Sequence, residues 1–329
     1  MVSASPAVTD TGDAVYVAEL DAVRSFTAAG EARWRTAIPP IDDLPGRVAG
    51  LAIDSRGRLV VSGPRSRLTW LDSATGAVVK AIDHAGDYFV TAPTLGKDDT
   101  VYVGGLSGMR AYSKDGDLLW TAFPSVEAFG VSPVAIAPDG DLVASAFSID
   151  TPNPNSDHPS LFRVGADGSA RWTQAFPQVN VGNSARTPVV GSDGTIWLAR
   201  FVPHPLVDFK LFAYDANGAE AATKDFQKII DAEVATTSDG DVVVSHLDGT
   251  TRLRRDATEV WRSGHGGWIA AALDGAGTTI VSDGGVRGLS NGEERWFVPL
   301  KSSIEHVSIA ADGSLILVCR TPNELIAVR

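Results

Sequence analysis

One short frame returns along the whole chain. Tyr112-Ser113-Lys114-Asp115-Gly116-Asp117-Leu118-Leu119-Trp120 reads as a strand end, a tight turn whose Gly supplies a left-handed conformation, and a second strand reaching Trp four residues after the Gly. The same Gly-x-x-x-Trp spacing recurs at Gly30/Trp34, Gly168/Trp172 and Gly292/Trp296. With one substitution it recurs at Gly76/Lys80, Gly218/Ala222 and Ala257/Trp261. Seven copies within 329 residues define a repeat protein, because one hairpin cannot bury its own apolar face and must pack on its neighbours.

A second signal interleaves with the first. Asp/Gly turns fall between short apolar runs at Asp10–Gly12, Ser55–Gly57, Lys97–Asp99, Pro138–Gly140, Ser192–Gly194, Ser238–Gly240, Asp274–Gly277 and Ala311–Gly313. The 301 residues from Gly12 to Gly313 make seven steps of 43, the period of a four-stranded propeller blade. Alternating runs such as Thr100-Val101-Tyr102-Val103 follow these turns, and no run has a helical period. Each unit therefore predicts strand A, an Asp-Gly turn, strand B, a loop, strand C, the Gly-x-x-x-Trp turn and strand D.

The expected fold is all-β, an eight-bladed β-propeller forming a single domain over residues 1–329. The blades fall near 6–38, 48–82, 90–123, 131–177, 186–226, 231–263, 268–299 and 306–329. There are eight first turns and seven second turns, so the last blade is expected to lack strand D; seven complete blades plus a partial one is the alternative count.

The totals exclude several function classes. A net charge of −12, from 28 Lys+Arg against 40 Asp+Glu, argues against nucleic acid as the partner. The close basic residues Arg252, Arg254 and Arg255 read as a solvated strand face. Cys319 is the single cysteine, which rules out an internal disulfide, zinc knuckles and CxxC redox pairs. It lies in the apolar run Leu315–Cys319, where a buried, inert thiol is expected. No apolar stretch approaches the roughly 20 residues of a transmembrane helix. No leader is visible ahead of the first repeat, and one could have been trimmed, so the compartment stays open: extracytoplasmic in that case, cytoplasmic otherwise.

These repeats resemble the quinoprotein-like family of β-propellers built from PQQ-like repeats, whose pattern is Asp-x-x-Thr-Gly-x-x-x-Trp. Asp72-Ser73-Ala74-Thr75-Gly76 matches the first part, with Lys80 where Trp is expected; Lys114–Trp120, Asp167–Trp172 and Asn291–Trp296 match the second. The resemblance covers nearly the whole chain and implies an eight-bladed fold. Its members include pyrroloquinoline quinone dehydrogenases and the lipoprotein subunit of the outer-membrane β-barrel assembly machinery. The chain departs from the dehydrogenases: one cysteine cannot make their vicinal disulfide, and their calcium-site context is absent, so a quinone cofactor is not expected. It departs from the lipoprotein in having no N-terminal cysteine.

In a propeller, the D–A and B–C connections share one face around a central funnel, where ligands usually bind. The strand map places all six histidines in or beside those connections. His246, His265 and His306 belong to three consecutive blades, with Asp248 and Glu305 close in sequence. Three imidazoles and a carboxylate suit a divalent metal, or one imidazole tuned by Glu305 suits general acid–base work. Arg47, Tyr88, Arg186, Arg200 and Trp268, with His84 and His204, are candidate ligand-binding residues, since Arg beside aromatic groups suits an anionic or sugar-like ligand. The same Arg side chains also suit ion pairs with Asp on neighbouring blades. Insertions at Ser148–Ser160 and Arg200–Asp208 carry His158 and His204. No phosphate loop, nucleophile elbow or His-Glu-x-x-His helix is present.

The first expectation is a binding or scaffold module taking a small molecule, glycan or protein in the funnel. A second is a lyase or hydrolase, with or without a metal, using His246, His265, His306 and Glu305. A third is a quinone-dependent oxidoreductase.

Overall fold

The computed structural model describes residues 5–39, 48–63, 67–84, 91–106, 108–122, 129–148, 159–176, 187–202, 208–226, 232–246, 248–267, 271–319 and 324–328. The fold is an all-β, eight-bladed propeller, and no helix occurs among the described residues. The chain divides into two compact units, Met1–Pro133 with Ser302–Arg329, and Val134–Lys301.

The first unit holds blades 1, 2, 3 and 8. Blade 1 is Ala7–Val8, Ala14–Ala18, Ala22–Thr27 and Ala32–Ala37; blade 2 is Gly50–Ile53, Arg58–Ser62, Arg67–Asp72 and Val78–Asp83. Blade 3 is Thr94–Leu95, Val101–Gly105, Gly108–Tyr112 and Leu118–Ala122. Blade 8 has three strands among the described residues, Ile304–Ile309, Leu315–Cys319 and Glu324–Val328, as the missing second turn predicts. Its strand A is held to the chain start, where Ser308 Oγ donates to the Pro6 carbonyl at 2.7 Å.

The second unit holds blades 4 to 7. Blade 4 is Ala135–Ile136, Leu142–Ala144, Pro159–Val164 and Ala170–Ala175; blade 5 is Val189–Val190, Ile196–Val202, Asp208–Tyr214 and Glu220–Phe226. Blade 6 is Ala232–Thr236, Val242–His246, Gly249–Leu253 and Glu259–Ser263; blade 7 is Ala272–Leu273, Thr279–Ser282, Gly285–Ser290 and Glu293–Pro299.

Burial explains the sequence pattern. Strand B lies inside its sheet and is covered on both faces, so Val101–Gly105 and Val242–His246 are buried throughout. Strand D is the outer edge, and Ala32–Ala37 alternates between exposed and half-buried positions. The core is therefore a series of layers between consecutive blades. One contains Val61, Leu71, Tyr16 and Val23; another contains Val143, Leu161, Leu198 and Phe212.

The repeated turns also order the charges. Buried Arg163, on strand C of blade 4, pairs with Asp139 and Asp141 of the A–B turn and donates to the Ala216 carbonyl of blade 5 at 2.9 Å. Arg252 repeats this in blade 6 with Asp239 and Asp241 at 2.6 and 2.8 Å. These arginines and aspartates are thus fixtures of the blades. Cys319 is free and buried, and burial pushes its thiol pKa up, in keeping with an inert thiol.

Candidate functional site

The repeat itself locates the site. Every A–B turn closes on one residue in the left-handed region: Gly12, Gly57, Asp99, Gly140, Gly194, Gly240, Gly277 and Gly313. Six residues further on, strand B is within two residues of its end. The residues there are Ala18, Gly63, Gly105, Ala146, Arg200, His246, Asp283 and Cys319. Blades 1 to 4 use Gly or Ala, whereas blades 5, 6 and 7 use Arg, His and Asp.

A second equivalent position faces this one, four residues after the strand D Trp of the preceding blade. It holds Ile38, His84, Phe176, Phe226 and His265 after Trp34, Lys80, Trp172, Ala222 and Trp261. The pairing is physical. A Cβ added to Gly63 would lie 2.9 Å from Ile38 Cγ2. At the three equivalent sites of the second unit, Arg200 stands 4.2 Å over Phe176, the Phe226 and His246 rings are 5.7 Å apart, and His265 Nδ1 lies 2.9 Å from Asp283. A small-on-aliphatic packing contact has been converted, in three consecutive blades, into one cationic and two imidazole-bearing contacts.

Arg200 is 8% exposed, near the end of the strand Ile196–Val202. Its guanidinium lies over the rings of Phe212 at 3.9 Å and Phe176 at 4.2 Å. Both rings stack against Tyr214, at 6.0 and 6.1 Å, above the apolar layer between blades 4 and 5. Burial raises the Tyr214 hydroxyl pKa, and the nearby Arg200 charge opposes this. Arg200 Nε is buried without an acceptor, and no carboxylate among the described residues pairs with Arg200.

His246 is buried at the end of the next strand B. Its Nδ1 accepts the Asp248 N–H at 3.2 Å, so the proton belongs on Nε2, which is buried without a partner. Burial lowers its pKa, with Asp248 opposing and Arg262 adding to the fall, so the ring is neutral. Its carbonyl accepts the Gly267 N–H at 3.1 Å, which brings the backbones beside His246 and His265 together. Side chains are excluded from that contact, because a Cβ at Gly266 would sit 1.9 Å from the His246 carbonyl oxygen.

His265 is held differently. Its Nδ1 meets Asp283 at 2.9 Å and its Nε2 faces Glu294 at 3.6 Å. Arg287 binds the same Glu294 and lies 3.7 Å over Phe297. Both ring nitrogens thus face carboxylates.

His306 and Glu305 lie within strand A of blade 8 rather than in a connection, because the strand starts at Ile304 and bulges at these residues. His306 Nδ1 pairs with Ser5 Oγ at 3.1 Å; burial lowers its pKa and Glu305 opposes. His84 directly follows strand D of blade 2, and its pKa is lowered by burial and then by Arg110. Arg47, Tyr88, Arg186, His204 and Trp268, together with His158, lie outside the described residues. Among the described residues, no three His, Cys, Asp or Glu side chains are grouped to hold a metal ion. Asp283, Glu294, Phe176 and Phe226 were not expected at the site; aligning the eight repeats position by position would have found all but Glu294.

Comparison with known proteins agrees with this architecture. The Moraxella catarrhalis BamB structure is similar over 96% of this chain and 96% of its own, with 16% identity and a TM-score of 0.63. A europium-containing methanol dehydrogenase is similar over 95% of this chain and 81% of its own, with 13% identity and a TM-score of 0.70. The computationally designed Ika8 protein is similar over 98% and 95%, with 12% identity and a TM-score of 0.69. At these identities the likeness is one of fold. No curated protein sequence matches the chain. The family model described as outer membrane protein assembly factor BamB matches residues 17–201, more than half the chain, and the protein therefore belongs to the PQQ-like-repeat β-propeller family.

Proposed function

We propose that this chain is a binding module whose partner docks on the connection-bearing end of blades 5, 6 and 7. The observation that carries this reading is the conversion of one packing position, Gly or Ala in blades 1 to 4, into Arg200, His246 and Asp283 in three successive blades. Packing does not require those side chains, since the same fold is built without them elsewhere in the chain. Each adds a desolvation cost, which selection tolerates at sites that bind. Among the described residues no carboxylate pairs with Arg200, and neither Arg200 Nε nor His246 Nε2 has a hydrogen-bond partner, so both have unused hydrogen-bonding capacity. The aromatic rings around them supply the apolar part of a contact surface. A polypeptide partner is favoured by the family, whose model is named for an assembly factor.

An acid–base enzyme is favoured less. Asp283 holds His265 Nδ1 at 2.9 Å and the Glu294 carboxylate stands 3.6 Å from Nε2, on the side from which a substrate would have to approach.

Peptide and glycan arrays probed with the purified chain test the reading. Binding is expected to be lost in the His246→Phe and Asp283→Ala proteins and retained after substitutions at the equivalent Ala18 of blade 1. Array ligands that bind all of these proteins equally, or a chain that binds none, would overturn it.

A further inference from the structure

We infer that Arg200 is the receptor for a carboxylate carried by the ligand, a conclusion that rests on the binding-module reading of the same site. Arg200 and Arg163 are both buried, in adjacent blades of one unit, at 8% and 6% exposure. Arg163 is neutralised by Asp139 and Asp141. Arg200 is given two aromatic rings, and no carboxylate among the described residues pairs with it. Cation–π contact offsets only part of the cost of burying a guanidinium, and the remainder is recovered when an anion arrives.

The geometry also selects the anion. Phe176 and Phe212 lie 4.2 and 3.9 Å from the guanidinium carbon, which leaves the N–H edge as the part of the group still to be paired. That edge is a flat fork of donors matched to a planar oxyanion, and Nε, one of its donors, has no acceptor. The rings hold the fork in one orientation before binding, which reduces the entropy lost on capture. Small residues at this position in blades 1 to 4 show that the repeat does not need a long side chain here. The chain carries a net charge of −12, so capture depends on the short-range fork rather than on long-range attraction.

The probes are sodium succinate, a free organic acid, and an end-capped hexapeptide of alternating Asp and Ser, with its Asn/Ser counterpart as control. Calorimetric titration and thermal melting of the full chain are followed at fixed ionic strength. At least one carboxylate probe is expected to bind and raise the melting temperature, and preference for succinate or for the peptide identifies the source. Arg200→Gln is expected to weaken binding tenfold or more, and Arg200→Lys, which keeps charge without the fork, to recover only part of it. Should Arg200→Gln not fold, the wild-type Arg Nε–H resonance that disappears in Arg200→Lys is expected to move on addition of the probe. Equal binding by wild type and Arg200→Gln, a stationary resonance, or no binding of either probe would overturn the inference. Array binding through blades 5 to 7 that succinate and the Asp peptide fail to displace would remove the carboxylate assignment and leave the binding module standing. Carboxylate capture at Arg200 without any array partner would do the reverse.

Discussion

The ring of Trp34 lies flat against Gly76 of the next blade, so close that a Cβ added to Gly76 would fall 2.6 Å from two ring atoms. The same ring donates its Nε1 proton to the Ser73 carbonyl at 3.1 Å, and Thr36 Oγ1 donates to the Gly76 carbonyl at 2.7 Å. Trp172 repeats the arrangement with Gly218 and the Ala216 carbonyl at 2.9 Å. The Gly-x-x-x-Trp frame thus joins consecutive blades: the Trp of one uses the turn Gly of the next.

Gly76→Ala should then be costly for two reasons. The residue sits at φ +74°, and the new methyl would displace the Trp34 ring. A loss of roughly 2–4 kcal/mol is expected from left-handed strain plus overpacking, read by urea denaturation. Gly30→Ala has the same conformational problem, at φ +84°, with open space around it, and should cost only about 1 kcal/mol. Equal losses for the two would show that the Trp contact contributes nothing.

Ala257 occupies the corresponding turn of blade 6 at φ +61°, where the other blades place Gly. Ala257→Gly relieves the strain but loosens the unfolded chain, and the strain term is the larger. The melt should shift upward by the equivalent of about 0.5–1 kcal/mol; a lower melting temperature would contradict the strained turn.

Acidification should destabilise the fold through its buried imidazoles. Burial depresses the pKa of His246 and His306 in the folded state. Their contribution is complete above the ordinary histidine value of about 6.5. It erodes as pH falls below that value, because the unfolded chain then takes up protons that the folded one refuses. The drop in melting temperature from pH 7.5 to 5.5 should be smaller in His246→Gln than in wild type. Parallel pH profiles would exclude His246 as a contributor.

Strand D of blade 3, Leu118–Ala122, is an outer edge carrying Leu118 and Leu119 about half exposed. It has no ionisable side chain, whereas each of the other six D strands has at least one, such as Arg33 and Arg35 in blade 1 or Arg171 in blade 4. Charges on edges oppose strand-to-strand association. Leu119→Lys should therefore reduce concentration-dependent association in light scattering, while changing stability by no more than about 0.5 kcal/mol. Unaltered scattering would place self-association elsewhere.

The propeller was legible because its signals are local. A turn Gly, a period-two run and a Trp at fixed spacing each act within a few residues, and repetition multiplied the evidence. The three strands that blade 8 shows among the described residues were legible for the same reason. The site was read only in part. His246, His265 and Arg200 were identified from their place beside connections, yet His306 lies in a strand whose start at Ile304 no composition signal marks.

The sequence by itself determined the number of blades, their order and which residues turn the chain, since backbone conformation and strand alternation are set by near neighbours. Only the tertiary structure decided which imidazoles are buried, which carboxylates His265 meets and that, among the described residues, Arg200 pairs with none. Those outcomes depend on contacts such as Phe176 with Arg200 and His265 with Asp283. Their partners lie about twenty residues apart on different blades, and packing alone brings them within reach.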